Sequence, residues 1–82
     1  MPDEILQIAL EILDLSDEPL ETKEILARVN GRLKRDTTRT ILFYRLNLLR
    51  GEGKIKGKFS GPGKGVWIWW RGSAFTREND EK

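Results

Sequence analysis

The stretch LNLLRGEGKIKGKFSGPGKGVWIWWR, Leu46 to Arg71, changes its period midway. Up to Arg50 the leucines recur at helical spacing, and Gly51 and Gly53 then break the helix. From Lys54 to Ser60, basic or small residues alternate with apolar ones, as they do along a half-exposed strand. Gly61-Pro62-Gly63-Lys64-Gly65 has the composition of a loop, and Val66 to Arg71 is β-branched and aromatic, which suits a second strand. Together they predict a hairpin with a lysine-bearing tip. An isolated two-stranded hairpin is marginal in water, so this one must pack on whatever precedes it.

What precedes it reads as helices. Ile5, Leu6, Ala9, Ile12 and Leu13 fall on one stripe with Ile8 on its flank, and Asp3, Glu4, Gln7, Glu11 and Asp14 lie opposite. This predicts an amphipathic helix over residues 3–15. Pro2 suits its first turn, and Asp3 and Glu4 complement its positive end. Pro19 forces a turn, and Leu20-Glu21 can add a short third strand. A second helix follows, with Thr22 as the expected N-cap, Ile25, Leu26, Val29 and Leu33 as its buried stripe, and Asn30-Gly31 as a left-handed stop. A third is expected from Asp36 or Thr37 to about Arg50. Leu42, Leu46 and Leu49 face the core there, with Ile41 and Leu48 beside them.

The chain has 82 residues, enough for one small core. It contains no cysteine and no histidine, which removes disulfides, thiolate metal sites and the usual nucleophile–base pairs. No enzymatic activity, no metal and no cofactor are therefore expected. No apolar run approaches the ~20 residues of a membrane helix, and no signal peptide is expected. The net charge of +2 hides an asymmetry. Residues 1–22 carry seven acids and no Lys or Arg (−7), residues 23–71 carry thirteen bases against three acids (+10), and residues 72–82 carry two bases against three acids (−1). A basic body with an acidic opening element is the footprint of a molecule that meets a polyanion on one face. The competing reading is a solvated surface whose halves neutralise one another.

The order helix, short strand, helix, helix, hairpin resembles the winged-helix DNA-binding superfamily over residues 3–71. The resemblance rests on PLETKEILARVN (Pro19–Asn30), on LNLLRGEGKI (Leu46–Ile55) and on KFSGPGKGVWIW (Lys58–Trp69), which looks like the wing. It implies an α+β fold: a three-helix winged helix-turn-helix with a C-terminal antiparallel hairpin wing of two or three strands. The winged-helix domain is expected over residues 1–71 and a polar, disordered tail over 72–82, with Phe75 as a residue that can dock back. The link Arg32–Arg35 is longer and more basic than in many members, and Phe43 and Tyr44 stand where smaller or charged residues are commoner.

The family's third helix enters the major groove. The resemblance therefore makes Arg39 a reader of guanine, Asn47 of adenine, Thr40 or Phe43 a contact to a thymine methyl, and Tyr44 a phosphate donor. Thr37, Arg50 and Arg35 surround them. Lys54, Lys56 and Lys58 along one strand face, with Lys64 at the tip, would grip the backbone, and they also deter edge-to-edge aggregation. Phe43 and Tyr44 can instead belong to the core or to a dimer surface. Arg45 falls on the apolar side, where pairing with an acid of the first or second helix is expected.

Strand alternation sends Val66, Ile68 and Trp70 one way and Trp67 and Trp69 the other. One set fills the core with Ile55 and Phe59. The Trp67/Trp69 face is read as the outward one, available to stack unpaired bases, to meet a protein or to lie under the tail.

The expected function is that of a cytoplasmic transcriptional regulator that binds double-stranded DNA, acts as a homodimer and takes no small-molecule ligand. The alternatives are a winged helix used for protein association in a larger transcription or replication assembly, and a single-strand or RNA binder working through the tryptophan hairpin.

Overall fold

The computed structural model describes residues 3–61, 63 and 65–72. The expectations for Pro2, Pro62, Lys64, Phe75 and the rest of the tail lie outside the described residues. The chain forms α1 (Glu4–Leu15), β1 (Leu20–Glu21), α2 (Thr22–Asn30), α3 (Arg39–Gly51), β2 (Lys56–Ser60) and β3 (Val66–Trp70). The strands make one antiparallel sheet in the order β1-β3-β2. This is the α+β winged-helix architecture, with the short third strand that Leu20 suggested.

Each helix is held at its start by a side chain. Asp3 caps α1 by accepting the N–H groups of Ile5 and Leu6 at 3.0 and 3.2 Å. Thr22 was expected to cap α2, but the cap is Glu21, whose N–H donates to Glu24 at 2.8 Å in a capping box. Thr22 is free of that duty and is buried, accepting the Trp69 indole N–H at 2.8 Å. Thr38, not Asp36 or Thr37, caps α3 through the Ile41 N–H. Gly31 ends α2 with φ −68°, so the expected left-handed stop is absent there. Left-handed geometry falls instead at Gly53, where α3 turns towards β2, and at Gly61, Gly63 and Gly72.

The core joins one face of each helix to one face of the sheet: Ile8, Ala9, Ile12 and Leu13 of α1, Ile25 and Val29 of α2, and Leu42, Leu46 and Leu49 of α3 pack around Leu20, Ile55 and Trp69. Leu33 lies beyond the end of α2 yet still packs against this core. Ile41 and Leu48 do not: they are 40% and 49% exposed.

The hairpin register explains the largest departure from expectation. Gly57 pairs with Trp69 and Phe59 with Trp67, so these four residues share a face. A Cβ at Gly57 would lie 2.5 Å from Cε3 of the Trp69 ring. The missing side chain is therefore the space that admits the indole. Trp69 is fully buried, not outward, and its N–H is satisfied by Thr22. Trp67 is half-buried against the core, whereas Phe59, expected inside, is 57% exposed. Trp70, on the opposite face, is also buried.

Candidate nucleic-acid interface

The α2–α3 connection sets how α3 is presented. The Asn30 side-chain amide bridges it: Oδ1 accepts the Thr37 N–H at 2.7 Å and Nδ2 donates to the Thr37 carbonyl at 3.3 Å. One amide thus replaces two backbone hydrogen bonds and closes a seven-residue span. Nothing in the sequence marked Asn30 for this task, since its only legible signal was that of a helix stop. Thr37 is correspondingly turned inward. Its hydroxyl oxygen is enclosed without a hydrogen-bond partner among the described residues, so it is badly placed to touch a ligand.

On α3, the face away from Leu42, Leu46 and Leu49 carries Arg39, Thr40, Tyr44 and Arg50, all exposed. Tyr44 is 73% exposed, which excludes a core role for it. Phe43 is half-buried, edge-on to Trp69 and Trp67 with centroids 5.7 and 6.1 Å away, so it belongs to the helix–sheet seam. Asn47 is also half-buried, and its amide N–H donates to the Phe43 carbonyl at 3.2 Å, one turn back along the helix. That bond occupies part of the hydrogen-bonding group expected to read an adenine.

Arg50 lies over the Trp67 ring, 5.2 Å from its centroid. This cation–π contact holds the guanidinium against the indole. Lys56 and Lys58 are exposed on β2, whereas Lys54 precedes the strand and pairs with Glu52 at 3.5 Å. Arg35 is exposed on the link.

Asp3, which caps α1, and Glu11 and Asp14 along it are engaged elsewhere. Asp3 accepts from Arg45 at 2.6 Å, as the position of Arg45 on the apolar side of α3 led one to expect. Glu11 pairs with Arg32, and Asp14 lies 3.7 Å from Arg71. Partial burial alone would raise the Asp3 pKa. The hydrogen bond from Arg45, the N–H of Leu6, the Arg45 charge and the N–H of Ile5 outweigh that and hold the carboxyl below its ordinary value.

Three of the surface grooves lined by described residues differ in charge accordingly. One, between the start of α1 and the α2–α3 link, is lined by acids (Asp3, Glu4, Asp36) as well as bases (Arg32, Lys34, Arg35). A second, along α1, mixes Asp3, Glu11, Asp14 and Glu52 with Lys54 and Arg71. The third, where α3 turns into β2, is lined by Arg50, Gly53, Ile55, Lys56, Gly57 and Trp70, with two cations and no acid. That groove can seat an anionic oxygen. Among the described residues, no group of His, Cys, Asp and Glu side chains is arranged to hold a metal ion, and no helix is long and apolar enough to cross a membrane.

No protein family matches the sequence, and no curated protein matches it. Among solved structures, the fold is similar to a chain of HOP2, described for structural insights into its DNA recognition and protein interaction domains and its homologous DNA pairing properties. The two chains share 22% identity at a TM-score of 0.67, and the match covers 83% of this chain and 98% of that one.

Proposed function

We propose that this chain binds double-stranded DNA, with α3 in the major groove and the basic wing on the backbone, as a transcriptional regulator that acts as a homodimer in the cytoplasm. The observation that carries this reading is the acid-free groove at the α3–β2 junction, where Arg50 and Lys56 converge. Fold alone would not suffice, because one fold serves many functions. Here the charge supports the same conclusion as the architecture. Acids of α1 neutralise Arg32, Arg45 and Arg71, while Arg35, Arg39 and Lys56 have no ion pair among the described residues. The similarity in fold to HOP2, whose DNA recognition domain was characterised, agrees with it.

In this arrangement Arg39, Thr40 and Tyr44 face the base edges and phosphates of the groove, and Arg35, Arg50, Lys54, Lys56, Lys58 and Lys64 meet the flanking backbone. Phe43 and Asn47 support α3 from the seam and meet DNA only at their exposed edges, and Thr37 shapes the link. The domain ends at the close of the hairpin, near residue 71.

A titration of a random-sequence duplex by the purified protein tests the reading. About four phosphate contacts would weaken binding on the order of 100-fold between 50 and 200 mM salt. Affinity indifferent to salt would reject it.

A second reading has its own observation. Ile41, Tyr44 and Leu48 recur at helical spacing and form an exposed apolar stripe on α3. Such a stripe supports protein association, through a second copy or within a larger assembly. Binding of a protein partner that survives high salt would favour that reading over DNA. A single-strand binder working through Trp67 and Trp69 loses its basis, because Trp69 is enclosed.

A further inference from the structure

The chain leaves the sheet at a point that adjoins two grooves of unlike charge. Trp70, the last residue of β3, pairs with Lys56, the first of β2, so the exit lies at the open end of the hairpin. Arg71 is held towards α1 by Asp14 at 3.7 Å, and Gly72 follows with φ +68°, a left-handed turn in the outgoing chain. On one side is the groove along α1, lined by Arg71 and Lys54 but also by the acids Asp3, Glu11, Asp14 and Glu52. On the other is the groove lined by Arg50, Lys56 and Trp70, with no acid in its lining.

The outer face of the sheet beside this second groove is covered at one place. Strand pairing puts Lys56, Lys58, Ile68 and Trp70 on the face turned away from Trp69. Trp70 is nevertheless only 7% exposed, and it is no member of the core built around Trp69. An indole so closed from water on the outer side of a sheet needs neighbours that the core does not supply. Arg50, Ile55 and Lys56 border it, and the residues that follow in the chain are the nearest further source.

Their composition fits the place. Phe75 stands five residues after Trp70, and Glu78, Asp80 and Glu81 follow it against Arg77 and Lys82. Six residues separate Gly72 from Glu78, and six residues span at most about 20 Å, enough to double back to Lys56 beside the exit. Acids so placed are repelled by the four acids of the α1 groove and drawn to the acid-free one.

We infer that residues 73–82 turn back over the outer face of the wing, with Phe75 against Trp70 and with Glu78 and Asp80 beside Lys56 and Arg50. The segment then occupies a phosphate-binding position of the proposed DNA site and competes with the duplex for it. The competition rests on the duplex reading above, whereas the docking stands without it. Weak ion pairs suffice, because a short tether holds the acids at an effective concentration on the order of millimolar.

Two measurements on the full chain test this. In amide and indole proton–nitrogen correlation spectra, Phe75→Ala and Glu78→Gln/Asp80→Asn should each shift the Trp70 indole and Lys56 amide signals, while the Trp69 indole, bonded to Thr22, stays in place. In a duplex titration, Glu78→Gln/Asp80→Asn should bind about fivefold more tightly than the wild type, and the same two changes should alter affinity less than about twofold in an Arg50→Ala/Lys56→Ala background. The charge added is equal in both backgrounds, so a difference between them belongs to the groove. Circular dichroism verifies folding, and Lys56→Ala alone serves as the background should the double variant not fold.

Unmoved Trp70 and Lys56 signals overturn the inference. An equal gain in affinity in the two backgrounds also overturns it, since that gain reports charge alone. Shifts that vanish on dilution do the same, by placing the segment on a second copy. Failure of every form to bind the duplex overturns the duplex reading, and the spectra still decide the docking.

Discussion

At the scale of single residues, two positions decide what the sequence left open. Gly57 settles the direction of the hairpin: with no side chain to displace, Trp69 turns inward and bonds Thr22. Alternation alone could separate Trp67 and Trp69 from Val66, Ile68 and Trp70, but it could not say which set faces the helices. The signal was present, because a glycine opposite a tryptophan across a hairpin marks a ring that needs room, yet it requires the register to be known. Gly57→Ala is expected to cost about 1–3 kcal/mol through overpacking against the ring, measurable as a lowered midpoint in urea unfolding with little change in slope.

Asp3 is the second such residue, capping α1 and pairing with Arg45 at once. Its carboxyl titrates below the ordinary 3.8 in the folded protein, so the unfolded state takes up the proton first on acidification. The stability it contributes is fully present well above pH 3.8 and is lost as the pH falls through the lower folded value. Asp3→Ala should remove about 1 kcal/mol at neutral pH, the usual worth of an N-cap, and flatten the acid limb of a stability–pH curve.

At the scale of elements, the three helices and the hairpin were legible because their periods differ and their leucines and isoleucines repeat cleanly. Their joints were less so. Caps moved by a residue or two, to Glu21 and Thr38, since several neighbouring Thr, Asp and Glu residues are competent to cap and only the packed backbone chooses among them. The α2–α3 link hid its main support entirely, because the Asn30 bridge joins residues seven apart with no local pattern between them. Asn30→Ala should destabilise the fold by about 1–3 kcal/mol, as it leaves the Thr37 N–H and carbonyl without these partners. Asn30→Asp, which keeps an acceptor for that N–H, should lose less. Thermal unfolding of the pair measures both.

The exposure of the candidate residues was legible in outline and less so in detail for the same reason. Arg39, Thr40, Tyr44, Arg50, Lys56 and Lys58 are exposed as helix and strand periodicity require, whereas Phe43, Asn47 and Thr37 are drawn into contacts that periodicity does not encode.

At the scale of the whole molecule, the arrangement of charge matters more than its sum. The acids concentrated in the first 22 residues are not a neutral coat. Pairs of α1 acids with Arg32, Arg45 and Arg71 tie the helix to the basic body, each worth little alone because it is partly solvated. Their larger effect is to divide the surface, leaving at the α3–β2 junction a groove lined by Arg50 and Lys56 with no acid in its lining. That division could be anticipated from the run of acids but not located, since which bases α1 meets depends on how three helices pack.

The salt dependence of duplex binding tests this division most directly, with log affinity plotted against log salt for the wild type and for two double variants, Arg50→Ala/Lys56→Ala and Arg32→Ala/Arg71→Ala. Both variants remove two positive charges, so net charge cannot distinguish them. Removal of Arg50 and Lys56 should weaken binding and make the slope shallower by about 2, one for each phosphate contact, while removal of Arg32 and Arg71 should leave the slope near that of the wild type. Equal slopes for the two variants, or a slope unchanged without Arg50 and Lys56, would contradict the assignment of the α3–wing groove to DNA.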